Sequence, residues 1–376
     1  MKILHLLSNF KYTGPAELAL DLVWALKQRG HEVTFAIGKA PEPGTYGLKE
    51  KGEERGIEPT TDFILNKHRN IFDNLRGFPI FVDFLKKENF EIIHTHQTND
   101  HNLAGKAARK AFPRLPIVRT FYGNEILKPS FTDKKLFTKL VDGLIVLSKK
   151  AYSDFTDKFL FPTERIWKLE GFVDCTRYNP DTVQEIRSSF GIDKSEIVLG
   201  IVARMQRHRR YEVLWEAVKI AVEEIPDLKI VVIGRGTHRK KVGFDPVKKM
   251  GLTNNVIFTG YRRDDYIQTL ASIDVKIFLV PGSDGSCRAV RQAMAMGKPV
   301  IAAKRGMLHE VIEDGHTGLL IEDTPENLAQ AMIKMIRNSE LRNKLGKAAL
   351  EKARTDYSLD RHAQKVEEIY IYLKSL

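Results

Sequence analysis

The chain has 376 residues, more than one ordinary hydrophobic core accommodates, so two domains are expected. Its 43% hydrophobic and 29% charged residues are typical of a globular protein. The sequence contains no run of 18 or more apolar residues, so we predict no membrane-spanning helix. The net charge of +12 favours anionic partners such as nucleotides or lipid headgroups, although a solvated basic surface explains it about equally well. Neither zinc-ligand spacing nor an aromatic RNA-binding signature occurs, which argues against nucleic acid as a partner.

The first residues indicate a strand and a reducing compartment. "KILHLL" leads directly into Ser8-Asn9 without a small-residue cleavage pattern, so we interpret it as a first β-strand rather than a signal peptide. The two cysteines, Cys175 and Cys287, are too few for a disulfide framework. We therefore expect a cytoplasmic protein.

Strand and helix patterns alternate along the chain in two series. The first contains "KILHLL", "EVTFAI", "EIIHTH", "PIVRTF" and "GLIVLS", with helical patterns such as 16–29 and 101–112 between them. After a pause near 165–180, the second contains "IVLGIVAR", "LKIVVIG", "NVIFTG", "DVKIFLV", "PVIAAK" and "TGLLIE". The last segment, "YSLDRHAQKVEEIYIYLKSL", predicts one long amphipathic helix. These patterns predict two doubly wound α/β domains with parallel sheets, one of residues 1–172 with the returning helix 358–376, the other of residues 173–357.

Ligands of such sheets bind beyond the carboxyl ends of the strands, so the strand-end loops hold the candidate residues. In the first domain, Gly14 starts a helix whose free N–H groups suit a phosphate or a sugar hydroxyl, an ordinary turn being the alternative. His94 and His96 lie on one side of a predicted strand. No carboxylate or third histidine is spaced to complete a metal site, so we expect one structural and one proton-handling histidine. Tyr122 either faces a ligand or packs as an aromatic.

The first two strand ends of the second domain combine arginines and glycines. The segment "ARMQRHRR" favours bidentate phosphate binding over a solvated loop because it holds four arginines, Arg204, Arg207, Arg209 and Arg210. Gly234 opens a Gly-x-Gly that allows the backbone to approach a ligand. The third glycine of a dinucleotide fingerprint is missing, which excludes a nicotinamide-type site.

A later loop, "SDGSCRAVRQAMAMGKPVI" at 283–301, places an acid before a helix. Asp284 precedes a helix expected to start near Ser286, and Gln292 lies roughly 9 Å further along the axis. This separation suits a ligand with a sugar near Asp284 and a ribose near Gln292. A capped helix with a surface glutamine is the alternative.

Together the loops resemble the family 4 retaining glycosyltransferases, over nearly the whole chain. Residues 281–322 resemble the family's "PS…EG…EAMA.G.PVIA…GG..E.I.DG..G.L" signature, and "GFVDCTRYNP" and "ARMQRHRR" are similar to its "NGVD…F.P" and "GRL…KG" segments. The resemblance implies the GT-B plan, two Rossmann-like domains facing a central cleft with the last helix crossing back to the first domain. It also implies sugar transfer from a nucleotide-sugar donor to an acceptor with retention at the anomeric carbon, without a metal or a cofactor.

The resemblance assigns roles to particular positions. Arg204 and Arg209 match the residues that hold the diphosphate, Asp284 the glutamate at the donor sugar, and Gln292 the glutamate at the ribose. We expect His96, Tyr122 and Asp284 to act as catalytic residues around the sugar. The expected donor-binding residues are Gly14, Arg204, Arg209, Gly234, Gly285, Ser286, Cys287, Arg288 and Gln292.

Five positions depart from the family pattern. Asp284 and Gln292 stand in place of glutamates, Tyr122 in place of a histidine, and Arg209-Arg210 in place of Lys-Gly. A neutral amide accepts a weaker hydrogen bond than a carboxylate, by ~1 kcal/mol. A nucleotide-sugar epimerase and a nucleotide-sugar-binding protein with little turnover are therefore the alternatives.

The basic segments "NKHRNIFDNLR" and "DFLKKENF" of the first domain favour an anionic or lipid-linked acceptor. We expect a glycan or glycolipid such as a lipopolysaccharide core, met at the inner face of the cytoplasmic membrane by a peripherally bound enzyme. Solvated helices are the alternative for both segments.

Overall fold

Two parallel β-sheets of six strands each organise the chain. The structure, a computed structural model, describes residues 1–42, 45–67, 70–123, 130–282 and 287–376, without the side chains of residues 71, 131 and 132. The chain divides into two units, Met1–Gly171 with Leu359–Leu376, and Phe172–Ser358. These boundaries lie one residue from the expected ones.

The first sheet has the strand order β2-β1-β3-β4-β5-β6. Its strands are β1 (Lys2–Leu7), β2 (Glu32–Ile37), β3 (Ile92–Thr95), β4 (Ile117–Phe121), β5 (Gly143–Val146) and β6 (Ile166–Lys168). The sixth strand falls in the segment where the sequence pattern pauses. Its three residues are too few to show a period, and pairing with β5 alone defines it as a strand.

The second sheet has the strand order β12-β11-β10-β7-β8-β9, with every pair parallel. Its strands are β7 (Val198–Val202), β8 (Lys229–Ile233), β9 (Val256–Gly260), β10 (Val275–Phe278), β11 (Val300–Ala303) and β12 (Gly318–Ile321). All six were expected, because strands covered on both faces are nearly continuous apolar runs. The order reverses between β7 and β10, as in a Rossmann fold.

Helices connect the strands and cover both sheets. They are α1 (Gly14–Gln28), α2 (Leu48–Glu53), α3 (Ile71–Glu88), α4 (Thr98–Ala111), α5 (Phe131–Lys139), α6 (Lys149–Ser153), α7 (Tyr211–Glu224), α8 (Asp245–Lys249), α9 (Tyr266–Ala271), α10 (Arg288–Ala295), α11 (Leu308–Val311), α12 (Pro325–Arg337), α13 (Ser339–Thr355) and α14 (Leu359–Ser375). The expected helices 16–29 and 101–112 correspond to α1 and α4. Among the residues described, no helix combines the length and apolarity that crossing a membrane requires.

The last helix, α14, packs on the first unit, as expected. Glu367 accepts hydrogen bonds from Nε and Nη2 of Arg29 at 2.9 and 2.7 Å and lies 2.9 Å from His31 Nε2. Leu373 lies so close to Gly143 that a Cβ there would come within 2.5 Å of the leucine Cδ1. Burial of Val366, Ile369, Tyr370 and Leu373 attaches the helix to the domain in which the chain begins.

One charged side chain lies inside the second sheet. Lys276, in the middle of β10, is fully buried, and within the described part of the chain its Nζ has no hydrogen-bond partner. Burial lowers the pKa of this amine from 10.5 to about 7. An unpaired buried ammonium is costly, and each unit of pKa shift corresponds to about 1.4 kcal/mol.

We therefore expect stability to rise with pH between about 7 and 10.5. In this window the unfolded lysine keeps the proton that the folded one has lost, so the unfolded state binds more protons. Lys276→Met should stabilise the protein below pH 7 and remove most of this rise, measured by urea unfolding across the pH series. Lys249→Met, at an exposed position of α8, is the control. An unchanged pH dependence in Lys276→Met would contradict the expectation.

Candidate functional site

The second unit brings its strand-end loops together where the strand order reverses. Strands β7 and β10 are hydrogen-bonded neighbours, so their carboxyl ends lie roughly 4.8 Å apart. The loop after β7 holds Arg204 and Arg209, and the loop after β10 leads into α10. Open α/β sheets bind ligands at this position.

Arg204 and Arg209 form an electropositive pair, for which no carboxylate partner occurs among the described residues. Arg204 is exposed and Arg209 is half-buried, at the end of the 3₁₀ turn Arg207–Arg209. Burial and the positive charge of Arg204 lower the pKa of Arg209. Among the described residues, Nε of Arg209 has no hydrogen-bond partner although it is buried. Such a pair is suited to hold a diphosphate, because a guanidinium binds phosphate oxygens in a bidentate manner.

Arg210 differs from its neighbour because its charge is neutralised within the protein. Its Nη1 lies 2.9 Å from a Glu212 carboxylate oxygen and its Nε 3.1 Å from one of Asp323. Its φ of 60° is in the left-handed region that favours glycine, the residue expected at this position from the family pattern. Arg210 therefore starts α7 in the backbone conformation of the glycine it replaces.

The glycines after β8 serve close packing of two loops. Gly234 has φ +141, and a Cβ there would lie 2.4 Å from the carbonyl oxygen of Ala203. A Cβ on Gly236 would lie 2.3 Å from the carbonyl oxygen of Met205. The Gly-x-Gly predicted a close approach of the backbone to a ligand. In the structure, the backbone of these glycines closely approaches the loop after β7, which carries Arg204.

Two residues at this edge were not anticipated. The Arg235 guanidinium lies 5.0 Å from the ring centroid of Tyr261, which follows β9 and is 60% exposed. An aromatic ring directly after Gly260 at a strand end was the available signal. The pairing with Arg235 depends on the order of β8 and β9 in the sheet.

Helix α10 starts two residues later than expected. It begins at Arg288, which is half-buried, after the N-cap residue Cys287, which is fully buried. The first-turn N–H groups of a helix have no partners within it and favour anions. Asp284, Gly285 and Ser286 lie outside the described residues, so their expected roles stay predictions.

Gln292 is an interior residue of the second unit. It is 2% exposed, its Oε1 accepts a hydrogen bond from the Tyr266 hydroxyl at 2.8 Å, and its Nε2 donates to the Tyr178 hydroxyl at 2.8 Å. The sequence did not single out either tyrosine. The bonds join the "GFVDCTRYNP" segment, the start of α9 and the signature helix α10 in one network.

In the first unit, the strand order reverses between β1 and β3, and a buried carboxylate holds the loops there. Asp100, in the first turn of α4, accepts hydrogen bonds from the backbone N–H groups of Ser8 at 2.8 Å and Gln97 at 2.9 Å. Gly14 is the first residue of α1, whose N-cap residue Thr13 makes no side-chain capping bond. The start of α1 therefore offers N–H groups near this switch point.

Three histidines meet inside the first unit. His94 and His96 are buried with ring centroids 4.5 Å apart, and β1 contributes His5, which pairs in register with His94. The sequence identified no third histidine for a metal set, and the structure supplies one, because His5 is remote in sequence but adjacent in the sheet. One ring nitrogen from each histidine lies within 4.8 Å of the others, close enough to be considered for a metal ion. The expectation that no metal is bound stays a prediction.

Tyr122 packs against this group and is itself buried. It is 4% exposed, and its hydroxyl lies 2.8 Å from His96 Nδ1. Of the two expected arrangements, the ring adopts the packed one, with its hydroxyl used in a polar contact. His96 and Tyr122 thus form a hydrogen-bonded pair at the carboxyl ends of β3 and β4.

Comparison with known proteins defines the class of this fold. Anabaena Alr3699/HepE, solved in complex with UDP, aligns over 100% of both chains with a TM-score of 0.80 at 21% identity. WaaG, a glycosyltransferase involved in lipopolysaccharide biosynthesis, aligns over 97% of this chain and 99% of its own with a TM-score of 0.68 at 17% identity. Two Rossmann-like units in this arrangement along the chain are the GT-B fold of glycosyltransferases.

Sequence comparison identifies the family. The family model described as Glycosyltransferase Family 4 matches residues 12–177, and the one described as Glycosyl transferases group 1 matches residues 182–352. N-acetyl-alpha-D-glucosaminyl L-malate synthase of Bacillus anthracis is 25% identical over 372 residues, 95% of this chain and 93% of the relative. The chain belongs to the family 4 glycosyltransferases, which confirms the resemblance seen in its loops.

The Gln292 network generates a stability prediction. Gln292→Leu should lower the free energy of unfolding by about 1–3 kcal/mol, because it leaves the hydroxyls of Tyr178 and Tyr266 without their partner. Gln292→Glu should cost less, since a carboxyl group of the same shape accepts from Tyr266 and bonds Tyr178 in either protonation state. Urea unfolding of both variants is the measurement. Equal losses would contradict the network as the source of the effect.

Proposed function

We propose that this glycosyltransferase transfers a hexose from a UDP-sugar to an acceptor glycan, with retention at the anomeric carbon. The observation that carries the proposal is the pair of neighbouring guanidinium groups of Arg204 and Arg209 at the switch point between β7 and β10, for which the described residues supply no carboxylate. The UDP complex of the similar Anabaena protein and the N-acetyl-alpha-D-glucosaminyl group in the name of the Bacillus relative support this donor class.

In the proposed mechanism, positive groups stabilise the leaving nucleoside diphosphate. The diphosphate lies between the two guanidinium groups and the N-terminal turn of α10, where negative charge grows as the glycosidic bond breaks. Two fixed guanidinium groups and a helix start supply the positive charge for which other transferases use a metal ion, so we propose a metal-independent reaction. No cofactor is required, since the nucleotide-sugar is itself a substrate.

The sugar and the ribose are assigned on the family pattern. We propose that Asp284 contacts the donor sugar, and that Gly14, His96 and Tyr122 of the first unit also act in sugar transfer. Gln292 already binds two tyrosine hydroxyls through its amide group. We propose, on the family pattern, that the same amide group also contacts a ribose hydroxyl of the donor.

A thermal-stabilisation screen against UDP-, GDP-, ADP- and CMP-sugars tests the donor. A ligand at one hundred times its Kd stabilises a protein by about 2.7 kcal/mol, which is a measurable shift. We expect UDP-sugars to stabilise the protein and UDP to be released when an acceptor is added. Sugar interconversion without an acceptor would instead indicate an epimerase. Stabilisation by a nucleotide-sugar without release of the nucleotide in any acceptor mixture would indicate a binding protein.

The arginine pair gives a prediction of binding. Arg209→Ala and Arg204→Ala should each weaken UDP-sugar binding by about 10- to 100-fold, because each removes a charge-assisted hydrogen bond that contributes ~1.5–3 kcal/mol. Arg209→Lys, which keeps the charge, should retain more affinity than Arg209→Ala.

Arg165→Ala, in the other unit, is the matched control and should bind like the original protein. Calorimetric titration with UDP-sugar gives each Kd. Equal effects of Arg204→Ala and Arg165→Ala would overturn the placement of the diphosphate.

We further propose that the acceptor is a lipid-linked glycan met at an anionic membrane surface. Helix α3 carries exposed apolar side chains at a helical spacing, Phe72 at 75%, Leu75 at 67% and Ile80 at 55% exposure. Exposed basic residues accompany them on the same helix, namely Arg76, Lys86 and Lys87, together with the exposed acid Asp83. An apolar face with basic flanks is suited to the interface of an anionic bilayer. The similarity to WaaG supports an envelope glycan as the acceptor class.

Vesicle sedimentation tests this surface. The protein should sediment with anionic vesicles at low salt, and Phe72→Ser with Leu75→Ser should reduce the bound fraction several-fold. Ile371→Ser, which removes an apolar residue of α14 that is 58% exposed, is the control and should bind unchanged. Absence of binding by the unaltered protein would exclude the membrane surface as a partner.

A further inference from the structure

A single chain of hydrogen bonds runs through the interior of the first unit. His94 Nε2 lies 2.7 Å from Thr120 Oγ1, and His94 Nδ1 lies 2.5 Å from the Tyr370 hydroxyl. The same hydroxyl lies 3.3 Å from His5 Nε2. His5 Nδ1 lies 2.9 Å from His96 Nε2, and His96 Nδ1 lies 2.8 Å from the Tyr122 hydroxyl. We call this the histidine chain, with the order Thr120, His94, Tyr370, His5, His96 and Tyr122.

The histidine chain has two states in which all five bonds form and the hydrogen of every inner group, including Tyr370, is used in one of them. Its five bonds need five hydrogens, and the four inner groups supply one each when the imidazoles are neutral. One end group must therefore donate inward. If Tyr122 does so, all three histidines carry hydrogen on Nε2; if Thr120 does so, all three carry it on Nδ1. A mixture of tautomers leaves one of the five bonds unformed or the hydrogen of Tyr370 unused.

The surroundings keep the three imidazoles neutral. Burial lowers the pKa of His5 to about 3, and burial with the neighbouring charges of Arg119 and the other histidines lowers the pKa values of His94 and His96 well below 6.5. All six ring nitrogens already have hydrogen-bond partners, and Arg119 disfavours a further cation. These facts favour a neutral hydrogen-bonded chain over a bound metal ion.

The state of the histidine chain sets the polarity of Tyr122. When Tyr122 donates to His96, its oxygen can only accept from another group; when it accepts from His96, its hydrogen is available to another group. Thr120, at the inner end, is 2% exposed, so the chain has no evident outlet for a proton. Tyr370 of α14 is the link between the two halves of the chain.

We propose that the histidine chain holds His5, His94 and His96 in one shared tautomer, and that Tyr370 is thereby a positioning residue that orients His96 and Tyr122 for glycosyl transfer. The second part rests on the proposed function. The first part concerns the folded protein alone and is tested without substrate.

Nitrogen NMR of the histidine-labelled full chain tests the shared tautomer. Protonated and unprotonated ring nitrogens have distinct shifts, so we expect His5, His94 and His96 to be neutral at pH 7 with the same nitrogen protonated in all three. Mixed tautomers or a charged ring would overturn the chain. Tyr370→Phe removes the link, and His94 should then no longer be tied to the tautomer of His5 and His96.

Kinetics of Tyr370→Phe test the positioning role. We expect kcat to fall on the order of tenfold, which corresponds to a rise of about 1.4 kcal/mol in the activation free energy. The KM for the donor should be unchanged. Tyr357→Phe is the matched control, because it removes a buried hydroxyl that donates to the Val311 carbonyl oxygen at 2.9 Å in the other unit. A normal kcat in a folded Tyr370→Phe protein, or an equal fall in the control, would overturn the role.

Two further outcomes separate the proposals. If the unaltered protein transfers no sugar, the proposed function fails while the NMR result still decides the shared tautomer. If added Zn²⁺ stabilises the protein and this stabilisation is lost in His5→Gln, the three histidines bind metal and the neutral chain is wrong.

Discussion

The reversal of strand order in each parallel sheet is the constraint on which the rest of this protein depends. Inside the sheets, neighbouring strands use the backbone groups, and apolar residues cover both faces. At the reversal, the loops after two adjacent strands diverge to opposite faces of the sheet and leave a gap at their carboxyl ends. In the second unit this gap lies between β7 and β10, and in the first between β1 and β3. Most candidate residues lie on these loops or on the helices that follow them, whereas Tyr122 and Gly234 follow the neighbouring strands β4 and β8.

The charge at the second reversal shows how neighbouring arginines take different roles. Arg210 finds carboxylates of the protein, so its guanidinium is neutralised in the folded chain. Arg209, one residue earlier, forms no ion pair with a carboxylate among the described residues, although the Nε atoms of both arginines are buried without a hydrogen-bond partner there. The ion pairs of Arg210 are therefore what distinguishes the two side chains. Net charge alone does not distinguish these two arginines.

The first reversal instead concentrates neutral polar groups. Three imidazoles, two tyrosine hydroxyls and a threonine hydroxyl satisfy one another inside a protein interior, where an unpaired polar group is costly. Helix α14 completes this arrangement with Tyr370, although the second unit separates it in sequence from the strands it covers. The return of the last helix is therefore both a packing feature and part of the polar interior.

The sequence by itself determined the two doubly wound domains, eleven of the twelve strands, the family signature and the arginine loop, because these depend on local period and on short motifs. It did not determine the partners of side chains remote in sequence. His5 joins His94 and His96 only through strand register, and Gln292 meets Tyr178 and Tyr266 only through the packing of α10 against two other segments. Such contacts arise from the order of strands and the docking of helices, which no local pattern contains. Tertiary structure therefore decided which polar residues are satisfied inside the protein and which arginine forms ion pairs within it.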